Sequence, residues 1–351
     1  MSQPIAPVRP PRVSVLTATY NAAAFIETTL ASALNQTFDD LEIVVIDDGS
    51  VDDTPEVVQR VMQSDARIRL VQQANCGPSA TRNRGIDEAR GALIAFLDHD
   101  DLWLPEKLAL QVALLDAHPD VGVASCYSAV IDRDHRCLGW RLGGDATGEV
   151  YAEMLEWDMV SGGSVALLRR EALERVGRLD QTLRFREDWD LWIRLARQVL
   201  FATVPRTLVG YTRSPHSSSR AYEQMAEEGA RVLDKARLDD PGFGEPQLRF
   251  CQARDLFAMA SFCAIDGHVS LAWRFLGQSL IRTPAPVLRS PRRWAFVGVL
   301  ALQTVLPRSV FQDVLGVLNR VSFHLRPGQP FLELSEDTNE TAGYASIATR
   351  R

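Results

Sequence analysis

The sequence is poor in the features that mark secreted, metal-stapled or membrane-spanning chains. Its 351 residues include only five cysteines (Cys76, Cys126, Cys137, Cys251, Cys263). They are odd in number, widely spread and without a Cys-X-X-Cys pair. That argues against a disulfide framework or a zinc site and for reduced thiols in a cytoplasm. No apolar run reaches the roughly 18–20 residues a spanning helix needs. The opening MSQPIAPVRPPR lacks the apolar stretch of a secretory signal, so residues 1–11 read as a disordered leader. There is no surplus of positive charge either. The formal net charge is −7, whereas nucleic-acid binders present a basic face, so nucleic acid is excluded as the main partner. A Gly-X-Gly-X-X-Gly loop after the first strand is missing too, which removes a nicotinamide dehydrogenase.

What remains is an ordinary globular composition, 46% hydrophobic and 24% charged, in a chain long enough for one large domain and a smaller one. β-Branched runs at 13–18, 41–46, 68–72, 93–97 and 121–128 read as buried strands. Helical stretches at 22–36 and 80–89 lie between them, and a helix at 105–117 has Pro105 at its first position, where the missing N–H costs nothing. This alternation predicts an α/β fold with a mostly parallel sheet and helices on both faces. Ligands of such sheets sit outside the carboxyl ends of the strands. From 129 to 211 the order loosens into a hairpin at 131–142, a strand at 164–168, helices from Arg170 and Glu187, and strands at 200–204 and 207–211. Beyond Ser219 the signals are helical, at 247–265, 269–282, 294–305 and 310–321, and the polar tail from Arg326 reads as disordered. The expected division is a domain at 12–219, a helical C-terminal subdomain at 220–325 and the tail at 326–351.

Three acidic clusters fall where chemistry is expected. Asp47-Asp48-Gly49-Ser50 follows the second strand; it can present a carboxylate to a ligand, or simply cap the next helix. Asp98-His99-Asp100-Asp101 follows the fourth. Three acids in four residues repel one another, which suits a divalent cation held by oxygen ligands; the alternative is a solvated loop with Asp101 capping the helix at 105. Arg186-Glu187-Asp188-Trp189-Asp190 opens an apolar helix whose dipole favours acids in its first turn. Asp190 and Arg194 are expected to pair on the surface, and Trp189, Trp192, Ile193 and Ala196 to face the core. Glu187 and Asp188 are then free to point into a cleft.

Together with Val13-Ser14-Val15-Leu16-Thr17-Ala18-Thr19-Tyr20-Asn21, Gly77-Pro78-Ser79-Ala80-Thr81-Arg82-Asn83-Arg84-Gly85 and Phe96-Leu97-Asp98, these segments resemble the family 2 glycosyltransferases of the GT-A (nucleotide-diphospho-sugar transferase) fold, over residues 12–213. The resemblance implies an inverting transfer of a sugar from a nucleotide diphosphate donor, a UDP-sugar first, onto a hydroxyl of a glycan or lipid-linked acceptor. It implies that Ala18, Tyr20, Asn21, Asp48, Arg82 and Asp98 bind the nucleotide sugar and that Asp98 and Asp100 form the Asp-X-Asp motif on Mn2+ or Mg2+. Asp188 would be the general base with Glu187 beside it. His216 aligns loosely with a further metal contact, or belongs to a surface loop. The family often has proline at the place of Ala18. Ser290-Pro291-Arg292-Arg293-Trp294 keeps only the Arg-Trp end of the Gln-X-X-Arg-Trp motif of processive synthases, which implies one sugar per encounter. Acceptor choice is expected in 133–163.

Two rivals are a sugar nucleotidyltransferase, which would open with Gly-X-Gly-Thr-Arg, and a nucleotide-sugar- or glycan-binding protein without catalysis. The apolar stretch 294–306, flanked by Arg289, Arg292, Arg293 and Arg308, is either a buried helix or an interfacial one. In the second reading Trp294, Phe296, Val297, Leu300 and Leu302 would meet an anionic headgroup layer. The expected location is cytoplasmic, with peripheral contact to the inner membrane face in that case.

Overall fold

The computed structural model describes residues 9–213, 221–288, 291–305 and 331. The first part alternates strand and helix: β1 (Val13–Thr19), α1 (Ile26–Leu34), β2 (Leu41–Asp47), α2 (Thr54–Ser64), β3 (Ile68–Gln72), α3 (Pro78–Glu88) and β4 (Leu93–Phe96). Next come β5 (Leu102–Trp103), α4 (Lys107–Ala117), β6 (Val121–Ile131), β7 (Cys137–Leu142), α5 (Tyr151–Glu156) and a 3-10 turn at Gly163–Val165. The sheet region ends with β8 (Leu167–Arg169), α6 (Arg170–Val176), α7 (Glu187–Ala196) and β9 (Leu200–Thr212). Helices α8 (Tyr222–Asp239), α9 (Glu245–Ile265), α10 (Val269–Arg282), α11 (Ala285–Leu288) and α12 (Pro291–Val305) follow.

All strands join one sheet in the order β3-β2-β1-β4-β8-β6-β9-β5, with β7 on the far half of β6. β1 to β4 pair in parallel, as their crossover helices require. β6 and β9 run the same way, while β5, β7 and β8 oppose them. All seven residues of β2 are buried, as expected for a strand covered by helices on both faces. Register then levels the strand ends. Thr19 lies opposite Asp47, so the segments that follow β1 and β2 meet. Asn21, in the left-handed region at φ 51° that asparagine tolerates, receives the Val51 N–H at 2.9 Å and donates its own N–H to Ser50 Oγ at 2.9 Å.

Several sequence expectations shift. The helix expected from Pro105 begins at Lys107, and Asp101 does not cap it. Its buried carboxylate accepts the Thr212 N–H at 3.1 Å instead. The strand expected at 164–168 splits into the 3-10 turn and β8, and the two strands at 200–211 are one, β9, with irregular register against β6. The Asp190–Arg194 pair forms, but Asp190 is buried and also takes Lys235 Nζ at 2.8 Å, so it is no surface pair. Trp189, Trp192, Ile193 and Ala196 are core residues. All five cysteines are free.

The helical region is not packed as a separate body. Val232, Leu233 and Ala236 of α8 and Leu248 and Cys251 of α9 join the hydrophobic core of the sheet. A second cluster unites Met259, Ala260 and Cys263 of α9 with Phe275 and Leu276 of α10 and Leu300 of α12. Phe331, within the tail expected to be disordered, is fully buried beside Gly210, and its N–H donates to the His135 carbonyl at 2.8 Å. The helix expected at 310–321 lies outside the described residues.

Candidate active site

Every candidate side chain that is described sits at the carboxyl end of the parallel strands. β1 carries Ala18 as its penultimate residue, with the Ala18 carbonyl 3.3 Å from His99 Nδ1. Tyr20 follows, 45% exposed, its ring available to stack on a flat ligand. Asp48 is buried beyond β2 and accepts the Cys76 and Gly77 N–H groups, each at 2.9 Å, and Gln73 Nε2 at 2.8 Å. Burial pushes its carboxyl up, but these hydrogen bonds outweigh it and hold the group below the usual carboxylate range. Asp48 therefore fixes the loop that leads into α3. Gly77, at φ 91°, allows the sharp entry into that helix.

Arg82 on α3 is the hub. Its guanidinium donates to Asp98 Oδ1 at 2.6 Å and to Glu187 Oε1, so the end of β4 and the mouth of α7 are tied together. Burial would discharge it, but Asp98 and Glu187 hold it fully protonated. Burial pushes Asp98 up, and Arg82 more than reverses this. Neither Asp100 nor Asp101 has an arginine of this kind, and for Asp100 the charge of His99 offsets burial only in part. Burial raises both, and the charge of Asp98 adds to the rise. Ser164 supports the loop from the other side, with its Oγ accepting the Asp98 N–H at 3.0 Å and its carbonyl accepting Trp103 Nε1 at 2.9 Å.

Asp98 and Asp100 are hard oxygen donors, and a divalent cation beside them would relieve the repulsion that raises Asp100. Among the described residues no three His, Cys, Asp or Glu side chains form a ready-made cage. An ion there would need further oxygens from a ligand and water, which is the habit of Mg2+ and Mn2+. His216, the third expected metal contact, lies outside the described residues.

The carboxylates of α7 stand opposite. Burial raises Glu187 to about 7 against the pull of Arg82, with Asp188 contributing. Asp188 is raised as well, chiefly by burial, while one of its oxygens accepts its neighbour's N–H, that of Trp189, at 2.7 Å. Two carboxylates that resist ionisation, facing the acids of Asp98–Asp101 across one arginine, form a site able to hold a cation-bound anion on one side and take a proton on the other.

Residues 14–177 match the sequence profile of Glycosyl transferase family 2. An uncharacterized glycosyltransferase of Rickettsia bellii is 30% identical over 201 residues, 57% of this chain and 29% of that one. Uncharacterized glycosyltransferase alr2836 of Nostoc is 31% identical over 188 residues, 52% and 56% of the two chains. These residues belong to glycosyl transferase family 2. The chain spans about half or less of the length of these curated relatives. S. aureus TarS in complex with UDP-GlcNAc superposes with a TM-score of 0.58 at 20% identity, over 84% of this chain and 87% of that one. Mannosyltransferase PcManGT from Pyrobaculum calidifontis, in complex with GDP-Man and Mn2+, gives 0.54 at 22% identity, over 87% and 88%. At these identities the likeness shows the fold, which is GT-A with a helical C-terminal region.

Sequence reasoning missed the residues that hold α7 in place. Arg186, left-handed at φ 63°, donates to Asp255 of α9 at 2.8 Å. Glu228 of α8 accepts the Arg184 N–H at 3.0 Å and the Phe185 N–H at 2.6 Å. Gly229 leaves room for Asp255, since a Cβ there would lie 2.5 Å from its Oδ2. Glu228, Gly229 and Asp255 lie beyond the 12–213 resemblance, so no motif could flag them or the partner that Arg186 takes. Asp158 was missed as well. It lies within the stretch expected to choose the acceptor, and burial and then the charge of Asp188 raise it to about 7.

Proposed function

We propose that the protein is a metal-assisted, inverting glycosyltransferase that moves a sugar from a nucleotide diphosphate donor, a UDP-sugar first, onto a neutral hydroxyl acceptor. The observation that carries this is Arg82, which joins Asp98, the first acid of the Asp-X-Asp motif, to Glu187, next to the proposed base. Tyr20 would stack on the base and Ala18 and Asn21 would shape its pocket, with Asp48 holding the adjoining loop. Asp98 would face the ribose, and Asp98 and Asp100 would hold Mn2+ or Mg2+. A divalent ion bound there supplies neutralisation of the charge that develops on the departing diphosphate. Asp188 would take the proton of the acceptor hydroxyl as its oxygen attacks the anomeric carbon from the face opposite the leaving group. One displacement inverts that carbon, so no enzyme nucleophile is required.

Thermal-shift titration of UDP and GDP sugars, with and without Mn2+, tests the reading. A ligand at a hundred times its Kd adds about 2.7 kcal/mol of stability. Stabilisation should require the ion, and the stabilising sugar nucleotide should turn over. Failure of every sugar nucleotide to bind with Mn2+ present would sink the proposal.

A second part concerns location. No helix of the described residues is long and apolar enough to cross a membrane. α12 is half-buried. Leu300 is enclosed, Phe296 packs edge-on against Phe257 at 5.1 Å and Val297 joins the same cluster, so these three are committed to the interior. Trp294, Leu302 and Val305 point outward, as do Ile281 and Leu288 nearby in the chain. We propose that this face rests peripherally on anionic bilayers. Flotation with phosphatidylglycerol vesicles should capture the protein at low salt and release it at high salt; no capture at low salt leaves α12 as a packing helix alone.

A further inference from the structure

Between α5 and the 3-10 turn, residues 157–162 form a wall of the site, and both ends of that wall are pinned to groups already described. On one side Trp189 Nε1, from the residue after Asp188, donates to the Met154 carbonyl at 2.7 Å. On the other, Ser164 Oγ accepts the Asp98 N–H. The chain from 155 to 163 must therefore run from the mouth of α7 to the end of β4. Its middle is held stiffly. Asp158 Oδ1 accepts the Val160 N–H at 3.1 Å and the Ser161 N–H at 2.9 Å, and Ser161 Oγ returns a bond to the Asp158 carbonyl at 3.0 Å. Gly144 N–H braces the Met159 carbonyl at 2.8 Å. Ser161 and Gly162 are both left-handed, at φ 60° and 117°. For a serine that conformation is strained, and strain of this kind persists where the surroundings over-determine it, often beside a ligand.

The turn uses only Oδ1 of Asp158 and leaves Oδ2 outside its hydrogen bonds. The nearby cations are committed elsewhere, Arg82 to Asp98 and Glu187 and Arg186 to Asp255. Asp158 of the wall thus joins Glu187 and Asp188 at the mouth of α7, three carboxylates that accept hydrogen bonds from a neutral acceptor and, once ionised, repel an acidic one. We propose that Asp158 is the acceptor-side partner of Asp188, the two receiving neighbouring hydroxyls of a neutral sugar. This rests on the sugar-transfer reading above. The attacking hydroxyl loses its proton to Asp188 while its oxygen bonds to the anomeric carbon. The bond from that carbon to the diphosphate oxygen breaks, and its electron pair leaves with the nucleotide. Asp158 holds the adjacent hydroxyl and so selects which oxygen attacks.

Saturation-transfer NMR with the full chain, UDP and Mn2+ tests this, using the methyl glycosides of glucose, galactose, N-acetylglucosamine and glucuronic acid as probes. Asp158→Asn is the informative variant, because an amide oxygen can keep the Val160 and Ser161 bonds and so preserve the turn. At least one neutral glycoside should bind the native protein and the glucuronide should not. Above neutral pH, where the Asp158 carboxyl is ionised, Asp158→Asn should weaken that glycoside about tenfold, the difference between a charged and a neutral hydrogen bond, while the thermal shift given by UDP stays unchanged. Equal glycoside binding by the variant, a preference for the glucuronide, or loss of the UDP shift in the variant would each overturn the assignment. So would a native protein that binds UDP but no neutral glycoside. If the native protein binds neither UDP nor GDP, the sugar-transfer reading itself falls, a result that the two native-protein titrations keep distinct.

Discussion

Arg186 and Asp255 are joined at 2.8 Å across 69 residues of chain, both nearly buried, and this bond docks the start of α7 on helix α9. Burial raises the Asp255 carboxyl against the pull of Arg186, so the buried carboxylate depends on the guanidinium. Removing one partner of a buried pair leaves an uncompensated charge and costs about 3 kcal/mol. Asp255→Ala should lose about that much in chemical denaturation. It should also lower kcat more than donor affinity, because Asp188 follows Arg186 by two residues. An unchanged kcat would show that the C-terminal helices do not support the base.

Asp100→Ala should abolish metal-dependent donor binding and keep the fold. Burial and the charge of Asp98 make the Asp100 carboxylate an unfavourable resident when no cation is present, so its loss should leave Tm unchanged or higher. A Mn2+ titration followed by the thermal shift of the sugar nucleotide reads both effects. Normal donor binding in the variant would remove Asp100 from the metal site.

Asp188→Asn should bind donor nearly as well as the native protein and transfer roughly 10²–10⁴-fold more slowly, the usual weight of a general base. The same measurement on Glu187→Gln assigns the roles. If only that variant shows the slow transfer, Glu187 is the base and Asp188 its neighbour.

Stability without ligand should fall as pH rises through neutrality. Burial, with the charge of Asp188, raises Glu187 from 4.5 and Asp158 from 3.8, each to about 7. Between the unfolded and folded values the native state binds more protons than the unfolded chain. Their contribution is therefore complete in acid and is lost as pH climbs through about 7. A Tm series from about pH 5 to about pH 8 should slope downward, and Glu187→Gln or Asp158→Asn should flatten it. A rising series would contradict the burial of these carboxyls. Transfer should move the other way, increasing as Asp188 loses its proton.

The sequence by itself determined what depends on neighbours along the chain. The β-branched runs specified β1 to β4, the periodic apolar residues specified α7, α9 and α10, and the strand-end position of Asp98–Asp101 specified where a cation would be useful. Periodicity and propensity act over a few residues, so these were legible. Elements without a period of their own were not. β5 has two residues, and it becomes a strand only because Leu102 and Trp103 pair with Gly210 and Val209. Charge placement was undecidable in the same way. Asp101 looked like a cap until Thr212, 111 residues away, took its carboxylate, and Asp190 looked exposed until α8 brought Lys235 over it. Arg82 and Glu187, 105 residues apart, meet only because α3 and α7 pack at the same end of the sheet. Contacts of that range are set by how whole elements bury their apolar faces, and no short window of sequence contains that information.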